Sequence, residues 1–137
     1  MLAVIASPTL ALAHSGATGI VKKRMETMKD ASLIMKELGA MVKGEVVFDA
    51  ATVARRGVDL KSHAAGIPAH FPTGSIYGPS EALPQIWEDF ERFSRMASDL
   101  ESAAAMLSGI TQPTGLPAAL VAAGETCKSC HKDFRKP

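Results

Sequence analysis

The chain has 137 residues, of which 47% are hydrophobic and only 5% aromatic, and its 15 Lys and Arg residues nearly balance 14 Asp and Glu residues. This length supports one domain with a single core, and a formal net charge of +1 gives no electrostatic footprint for nucleic acid or an anionic lipid surface. Two cysteines are too few for a disulfide framework. The shortage of large rings, beside seven methionines, predicts a helical protein whose core is partly filled by something other than protein.

Residues 1–13 are apolar and uncharged, and they end in Ala11-Leu12-Ala13. Small residues at this spacing suit a signal peptidase, so we expect a secretory signal, although the usual positively charged n-region is absent. A transmembrane helix is the alternative, but the stretch is too short to span a bilayer and Pro8 interrupts it. We therefore expect export, a single domain over residues 14–137 and no stable membrane insertion.

Hydrophobic periodicity divides the rest of the chain into four helical stretches. The first runs from Gly19 to Val42, and its stripe repeats every seven residues at Val21, Met28, Met35 and Val42. Asp49 is the predicted N-cap of the second helix. The stripe of that helix consists of Val53, Gly57, Leu60, Ala64 and Ile67, and Phe71 continues it beyond Pro68.

Prolines and glycines concentrate between Pro68 and Pro84, which predicts one long connection. The third helix carries an unbroken seam that ends near Gly109, made of Ile86, Phe90, Phe93, Ala97, Leu100, Ala104 and Leu107. The seam of the fourth helix consists of Leu116, Leu120, Ala123, Cys127, Cys130 and Phe134. Four such helices bury their stripes most simply as an all-α, antiparallel four-helix bundle.

The segment Cys127-Lys128-Ser129-Cys130-His131 is the attachment signature of c-type haem. Residues three apart share one face of a helix, so both thiols reach the two vinyl groups on one haem edge and form thioether bonds. The next residue then presents its imidazole to the iron. We predict one covalently bound haem c on the C-terminal helix, attached through Cys127 and Cys130, with His131 as the proximal axial ligand of the iron.

Three other interpretations of the two cysteines were weighed. A thioredoxin-like redox pair requires a βαβ context, and no strand pattern is present. A tetrahedral zinc site requires further ligands, and only scattered histidines are available. A simple disulfide explains neither His131 nor the apolar placement of both cysteines.

Placed this late in a helical chain, the motif makes the sequence resemble cytochrome c-prime, the class II c-type cytochromes, including the low-spin c-556 branch. The resemblance covers essentially the whole chain after residue 13. It is carried by Arg24 with Met28 one turn later, Lys43-Gly44-Glu45 with Phe48-Asp49, Pro84-Gln85-Ile86-Trp87, and Cys127 to His131 followed by Phe134-Arg135. Family members commonly have Glu where Gln85 stands, which is a minor departure.

The resemblance implies that Met28 faces the distal side of the haem, and the heptad spacing independently places it inward. A thioether there is the expected distal axial ligand, and it gives six-coordinate, low-spin iron with a raised reduction potential, as in the c-556 branch. Alternatively, Met28 only fills the core, as flexible methionines do, and the iron stays five-coordinate. Met25 is the reserve candidate for the ligand.

Two arginines are singled out by the same resemblance. Arg24 is implied to lie near the haem and to interact with a propionate, and Arg135 is implied to shield and tune the proximal side. The alternative for each is a solvated surface arginine. His63 and His70 are expected to be surface or loop histidines, and Trp87 is expected to pack where the third helix begins.

Two functions follow from the two coordination states. The favoured one is a periplasmic electron carrier that exchanges electrons with redox partner proteins through an exposed haem edge. The alternative is a five-coordinate cytochrome c-prime that binds small diatomic gases such as nitric oxide. We do not expect an enzyme, because the stripe around Met28 offers no acid or base. Family members are often dimers through their first two helices, which leaves a homodimer open.

Overall fold

A computed structural model of the protein describes residues 16–137, so the predicted signal segment, residues 1–13, lies outside the described residues. Within residues 16–137 the chain forms five α-helices and two short 3₁₀ turns, without a β-strand. The helices are α1 (Gly19–Val42), α2 (Ala50–Gly66), α3 (Gln85–Glu88), α4 (Phe90–Ser108) and α5 (Leu116–Phe134). The four long helices α1, α2, α4 and α5 form a four-helix bundle, which confirms the predicted fold class.

The predicted third helix is two helices, because the chain breaks at Asp89. This residue has φ −137° and ψ 60°, and its side chain accepts a hydrogen bond from the Arg92 backbone N–H at 3.2 Å. Aspartate favours this capping position because its carboxylate satisfies an N–H group that has no partner inside the helix. The prediction of an unbroken seam was therefore wrong at the break, where Phe90 is 38% exposed, while Ile86 and Phe93 are buried.

The predicted stripe of α1 is correct at its start and wrong at its end. Val21 is fully buried, whereas Val42 is 40% exposed. A strict seven-residue repeat drifts by about 20° per heptad on a straight helix, so after three heptads the position has left the inner face. The buried residues of α1 are Val21, Arg24, Thr27, Ile34, Leu38 and Met41. Met28 and Met35 are half-buried and pack against the edge of the core.

The stripe of α2 is as predicted, and its small residues bring α2 and α4 close together. The predicted N-cap is confirmed, since Asp49 Oδ2 accepts a hydrogen bond from the Thr52 backbone N–H at 3.0 Å. The stripe residues Val53, Gly57, Leu60, Ala64, Ile67 and Phe71 are all buried. A Cβ atom on Gly57 would lie only 2.4 Å from the backbone nitrogen of Ser108. This glycine therefore allows α2 and α4 to make the most extensive helix contact of the bundle.

Contacts of α1 with α2 and α5 are much sparser than the contact between α2 and α4. As a result, space remains between α1 and α5 in the interior of the bundle.

Among the helices of residues 16–137, none combines the length and the apolar character that a bilayer crossing requires.

Replacing Gly57 with Ala is expected to destabilise the protein, because the new methyl group meets backbone that cannot move without separating α2 from α4. The expected loss is about 1–3 kcal/mol in the free energy of unfolding, the usual cost of overpacking a core. Urea denaturation of the haem-loaded protein measures it.

The matched control is Gly39→Ala in α1, where an added Cβ has no neighbour within 4 Å. This change should be neutral or stabilising by up to about 1 kcal/mol, since alanine favours the helix over glycine. Equal effects of the two substitutions would contradict the close approach at Gly57.

Candidate haem-binding site

A cavity of about 610 Å³ lies between α1 and α5 and extends to α2, α3 and α4. This volume is within the range of sites that hold small molecules and cofactors, about 300–1,000 Å³. Its walls are mainly apolar and rich in sulfur and aromatic rings, with Met25, Met28, Met35, Met96, Phe71, Phe93 and Phe134 among the lining residues. Such walls suit a large, flat and mostly apolar ligand.

The haem-attachment motif lies on the α5 wall of this cavity. Cys127, Cys130 and His131 all line it, within the continuous helix α5. Both cysteines are half-buried and are not joined in a disulfide, while His131 is more exposed. The helical spacing of three residues places the two thiols on one face, as thioether attachment to one haem edge requires. The structure therefore brings together the three residues that the motif predicts.

Burial sets the protonation of these side chains. It raises the pKa of the Cys127 thiol, and it raises the pKa of Cys130 to about 11, with a further contribution from the neighbouring Cys127. Although His131 is exposed at the cavity, partial desolvation of its imidazole lowers its pKa, and the nearby Arg135 cation lowers it further against the opposing effect of Glu81. At neutral pH the imidazole is thus in its neutral form, the form that binds a metal.

Arg24 is a buried cation in the wall of the cavity, with only 4% of its surface exposed. Its Nη1 donates to Ser75 Oγ at 2.8 Å, and its Nη2 donates to the Ser75 carbonyl oxygen at 2.6 Å and to Ser80 Oγ. The guanidinium carbon lies 4.5 Å from the centre of the Phe71 ring. The alternative of a solvated surface arginine is therefore wrong for Arg24.

Within residues 16–137, no carboxylate forms an ion pair with Arg24. Burial away from water lowers the pKa of its guanidinium. A buried charge is normally paired, because its desolvation is costly. A cation that lines an apolar cavity without an acidic partner fits a ligand that is apolar over most of its area and carries carboxylates at one edge, as haem does.

Arg135 is exposed and lies at the edge of the same cavity, just after α5 ends. Its Nε and Nη2 donate to Glu81 Oε2 at 2.7 and 2.6 Å. Its backbone N–H donates to the His131 carbonyl oxygen at 3.1 Å. The structure thus places this cation beside the proposed proximal ligand, paired with a carboxylate from the 68–84 connection.

The structure confirms the predicted position of Trp87 and refines those of the two histidines His63 and His70. Trp87 packs where α3 begins, as predicted, and its Nε1 donates to the Phe71 carbonyl oxygen at 2.9 Å. His63 lies on α2, not in a loop; it is half-exposed and lines the cavity. His70 lies in a 3₁₀ turn, and its buried Nδ1 has no hydrogen-bond partner among residues 16–137.

Sequence reasoning missed the two serines that hold Arg24. Ser75 and Ser80 are 5% and 4% exposed, although they lie in a connection rich in glycine and proline that predicts only a surface loop. The burial of Arg24 could have been inferred, because it stands three residues after Val21 and four before Met28, the spacing of a shared helix face.

A helical bundle with an apolar interior cavity and a Cys-X-X-Cys-His motif on its wall defines the class of c-type cytochromes. The match to a family model is specific: the model described as Cytochrome C' matches residues 19–135. The chain therefore belongs to the cytochrome c' family. It is a monohaem c-type cytochrome with covalently bound haem c, and it acts as an electron carrier or a gas binder. Such proteins are electron-transfer or ligand-binding haemoproteins, not typical enzymes.

Individual relatives agree with this assignment. The chain is 38% identical over 121 residues to a cytochrome c-556 of Agrobacterium fabrum, across 87% of this chain and 82% of the relative. The solved cytochrome c' of Rhodopseudomonas palustris superposes with a TM-score of 0.82 at 34% identity, across 88% of this chain and 98% of that one. A nitric oxide complex of a mutant cytochrome c prime from Alcaligenes xylosoxidans gives a TM-score of 0.77 at 28% identity, across 86% and 94%.

Replacing Arg24 with Leu is expected to destabilise the haem-loaded protein by about 2–3 kcal/mol. The apolar side chain removes the donor of the Ser75 hydroxyl and carbonyl oxygens and one of the two donors of the Ser80 hydroxyl. Unsatisfied buried polar groups cost this order of free energy. Urea denaturation measures the loss.

Arg95→Leu is the matched control, since the Arg95 side chain is 60% exposed and, within residues 16–137, its one ion pair is with Glu91 one turn away. Its effect should stay below about 0.5 kcal/mol, the usual value of an exposed helix ion pair. Similar losses for both arginines would show that the Arg24 contacts are not important for stability.

Proposed function

We propose that the protein is a periplasmic electron carrier in which Cys127 and Cys130 hold the haem by thioether bonds, and His131 and Met28 are the two axial ligands of the iron. The observation that carries this proposal is that Met28 on α1 and His131 on α5 line the same cavity. Axial ligation by both residues would require α1 and α5 to lie on different sides of the haem, and the cavity lies between these two helices.

When bound, haem supplies an iron centre that gains and loses one electron. The side chains around it determine how easily this happens. A neutral thioether such as that of Met28, together with a neutral imidazole, favours the ferrous state and raises the reduction potential. Low-spin iron with both axial positions filled changes little in geometry between its oxidation states, so little reorganisation accompanies electron transfer.

The remaining residues of the cavity complete these roles. The lowered pKa of His131 keeps its imidazole neutral at physiological pH. The apolar walls, including Phe93 and Phe134, keep water from the iron. Arg24 presents a buried positive charge at the cavity wall, where it compensates a haem propionate. Arg135, exposed at the edge of the cavity and paired with Glu81, shields and electrostatically tunes the proximal side.

The periplasmic location is supported by the sequence of residues 1–13, whose apolar run and Ala11-Leu12-Ala13 ending are typical of a cleaved export signal. Covalent attachment suits an exported protein, because a cofactor lost outside the cytoplasm is not easily replaced. Redox partner proteins would then exchange electrons at the edge of the cavity.

The second candidate function is binding of small diatomic gases by five-coordinate iron. It is favoured by the fold that this chain shares with the Alcaligenes xylosoxidans protein, a mutant of which was solved as a nitric oxide complex. In that case Met28 only packs against the core, which it also contacts. The electron carrier is preferred because Met28 on α1 offers a thioether at the cavity wall, and thioethers bind haem iron.

The spectrum of a Met28→Ala protein tests the ligation. Wild-type protein is expected to show low-spin iron in both oxidation states and a methionine-to-iron charge-transfer band when ferric. The substitution removes the sulfur, so the band should disappear and the ferrous protein should bind carbon monoxide readily. Visible absorption of the purified proteins measures both effects.

Two matched controls locate the ligand. Met106 is 67% exposed and does not line the cavity, so Met106→Ala should leave the spectrum unchanged. Met25→Ala should also leave it unchanged, although Met25 lines the cavity. Loss of the band in Met25→Ala but not in Met28→Ala would identify Met25 as the ligand, and high-spin iron in the wild type would favour the gas binder.

A further inference from the structure

We propose that residues 75–83, called here the bridging segment, tie α1 to the end of α5 and fix the separation of Met28 and His131, with Ser80 as the positioning residue where both attachments meet. The proposal rests on the proposed function, since it concerns the two residues assigned there as axial ligands. It assigns a task to a part of the long connection that the sequence predicts only as a loop.

The first attachment joins the bridging segment to α1. Arg24 donates hydrogen bonds to Ser75 Oγ, to the Ser75 carbonyl oxygen and to Ser80 Oγ. All three residues are at least 95% buried, so water does not compete for these bonds. Hydrogen bonds from a charged donor are about twice as strong as those between neutral groups. One side chain therefore holds both ends of the six-residue stretch from Ser75 to Ser80 against α1.

The second attachment joins the same segment to the end of α5. The Leu83 backbone N–H donates to the Phe134 carbonyl oxygen at 2.9 Å, and the Lys136 backbone N–H donates to the Glu81 carbonyl oxygen at 2.8 Å. These bonds surround an antiparallel bridge between Ala82 and Arg135. The end of the chain thus runs beside residues 81–83, only a few residues after His131.

Ser80 connects the two attachments directly. Its hydroxyl oxygen accepts from Arg24 Nη2 and also from the Ala82 backbone N–H at 3.3 Å. Its carbonyl oxygen accepts from Lys136 Nζ at 2.9 Å. A single buried serine is therefore bonded to α1 on one side and to the residues after α5 on the other.

This link matters because the cavity separates α1 from α5, and the direct contacts between the two helices are few. Arg24 lies one turn before Met28, and Arg135 lies one turn after His131. Glu81 and Ala82 also form part of the cavity wall. Supporting contacts have to hold the ligands of a metal within about 0.5 Å of their productive positions. Loss of such a contact typically weakens metal binding by about 10–100-fold. The bridging segment supports both proposed ligands indirectly, because it is bonded to Arg24 on the helix of Met28 and to residues 134–136 just after His131.

The test uses haem-loaded Ser80→Ala protein, in which the hydroxyl acceptor of Arg24 is absent. The rate at which ferrous protein binds carbon monoxide reports how often the sixth position of the iron is open. It should rise about tenfold, since loss of one hydrogen bond to a charged group shifts an equilibrium by about this factor. The ferric spectrum should gain a high-spin component.

Ser102→Ala is the matched control, because Ser102 is exposed on α4 and does not line the cavity. It should leave the carbon monoxide rate and the spectrum unchanged. Ser75→Ala is the second variant, for use if Ser80→Ala folds poorly. It keeps the carbonyl acceptor of Ser75 and should give a smaller increase in the same direction. A rate in Ser80→Ala or Ser75→Ala equal to that of Ser102→Ala would overturn the proposal.

The experiments can reject the bridging-segment proposal and the proposed Met28 ligation separately. High-spin iron in the wild type rejects Met28 as the ligand, whatever Ser80 does. In that event, amide hydrogen exchange of the same proteins decides the bridging segment. Ser80→Ala should speed exchange both at residues 24–28 of α1 and at Leu83 and Lys136, whereas faster exchange at only one of the two attachments would show that they are independent.

Discussion

The space between α1 and α5 is the constraint on which the rest of the bundle depends. On the opposite side, α2 and α4 approach until a Cβ on Gly57 would lie 2.4 Å from the Ser108 backbone nitrogen. Three of the seven aromatic residues line the cavity, and Phe93 there makes edge-to-face contacts with Phe71 at 4.8 Å and with Phe134 at 5.4 Å between ring centres. The low aromatic content thus reflects a core that is completed by covalently bound haem, as in the other members of the family.

Electrostatics divide the cavity into regions with different tasks. Around the attachment motif, partial burial raises the pKa of both cysteine thiols before haem is attached and lowers the pKa of His131, which favours its neutral imidazole. At the wall near the 68–84 connection, Arg24 supplies a buried positive charge that neutral acceptors alone surround. A ligand with an apolar body, an iron centre and anionic groups at one edge matches all of these regions. A purely apolar ligand would match only the apolar walls.

Sequence patterns predicted most of the fold because helix periodicity and capping are local effects. The bounds of α1, the Asp49 cap and the α2 stripe depend on neighbouring residues, and the structure agrees with them. The break at Asp89 was missed, because capping by a single side chain interrupts an apolar seam without changing its spacing. Val42 was assigned to the core because a seven-residue repeat hides the drift of a straight helix.

The residues of the candidate site also differ in how far the sequence predicts them. The attachment motif is contiguous, so the chemistry of Cys127, Cys130 and His131 could be inferred from the residues alone. The serines that hold Arg24 are about fifty residues away along the chain, and no periodic pattern connects them with it. Contacts between a helix and a distant loop depend on the packed structure, so they become visible only there. The role of Arg24 changes accordingly, from a residue near the cofactor to one that also organises the loop.

The central claim is that α1 supplies a sulfur ligand to the iron that α5 binds. X-ray absorption at the iron edge of the ferric, haem-loaded protein tests this most directly, because it identifies the atoms bound to iron without relying on any variant. The account predicts six ligands, namely four pyrrole nitrogens, one imidazole nitrogen and one sulfur. A shell of five nitrogens without sulfur would contradict it.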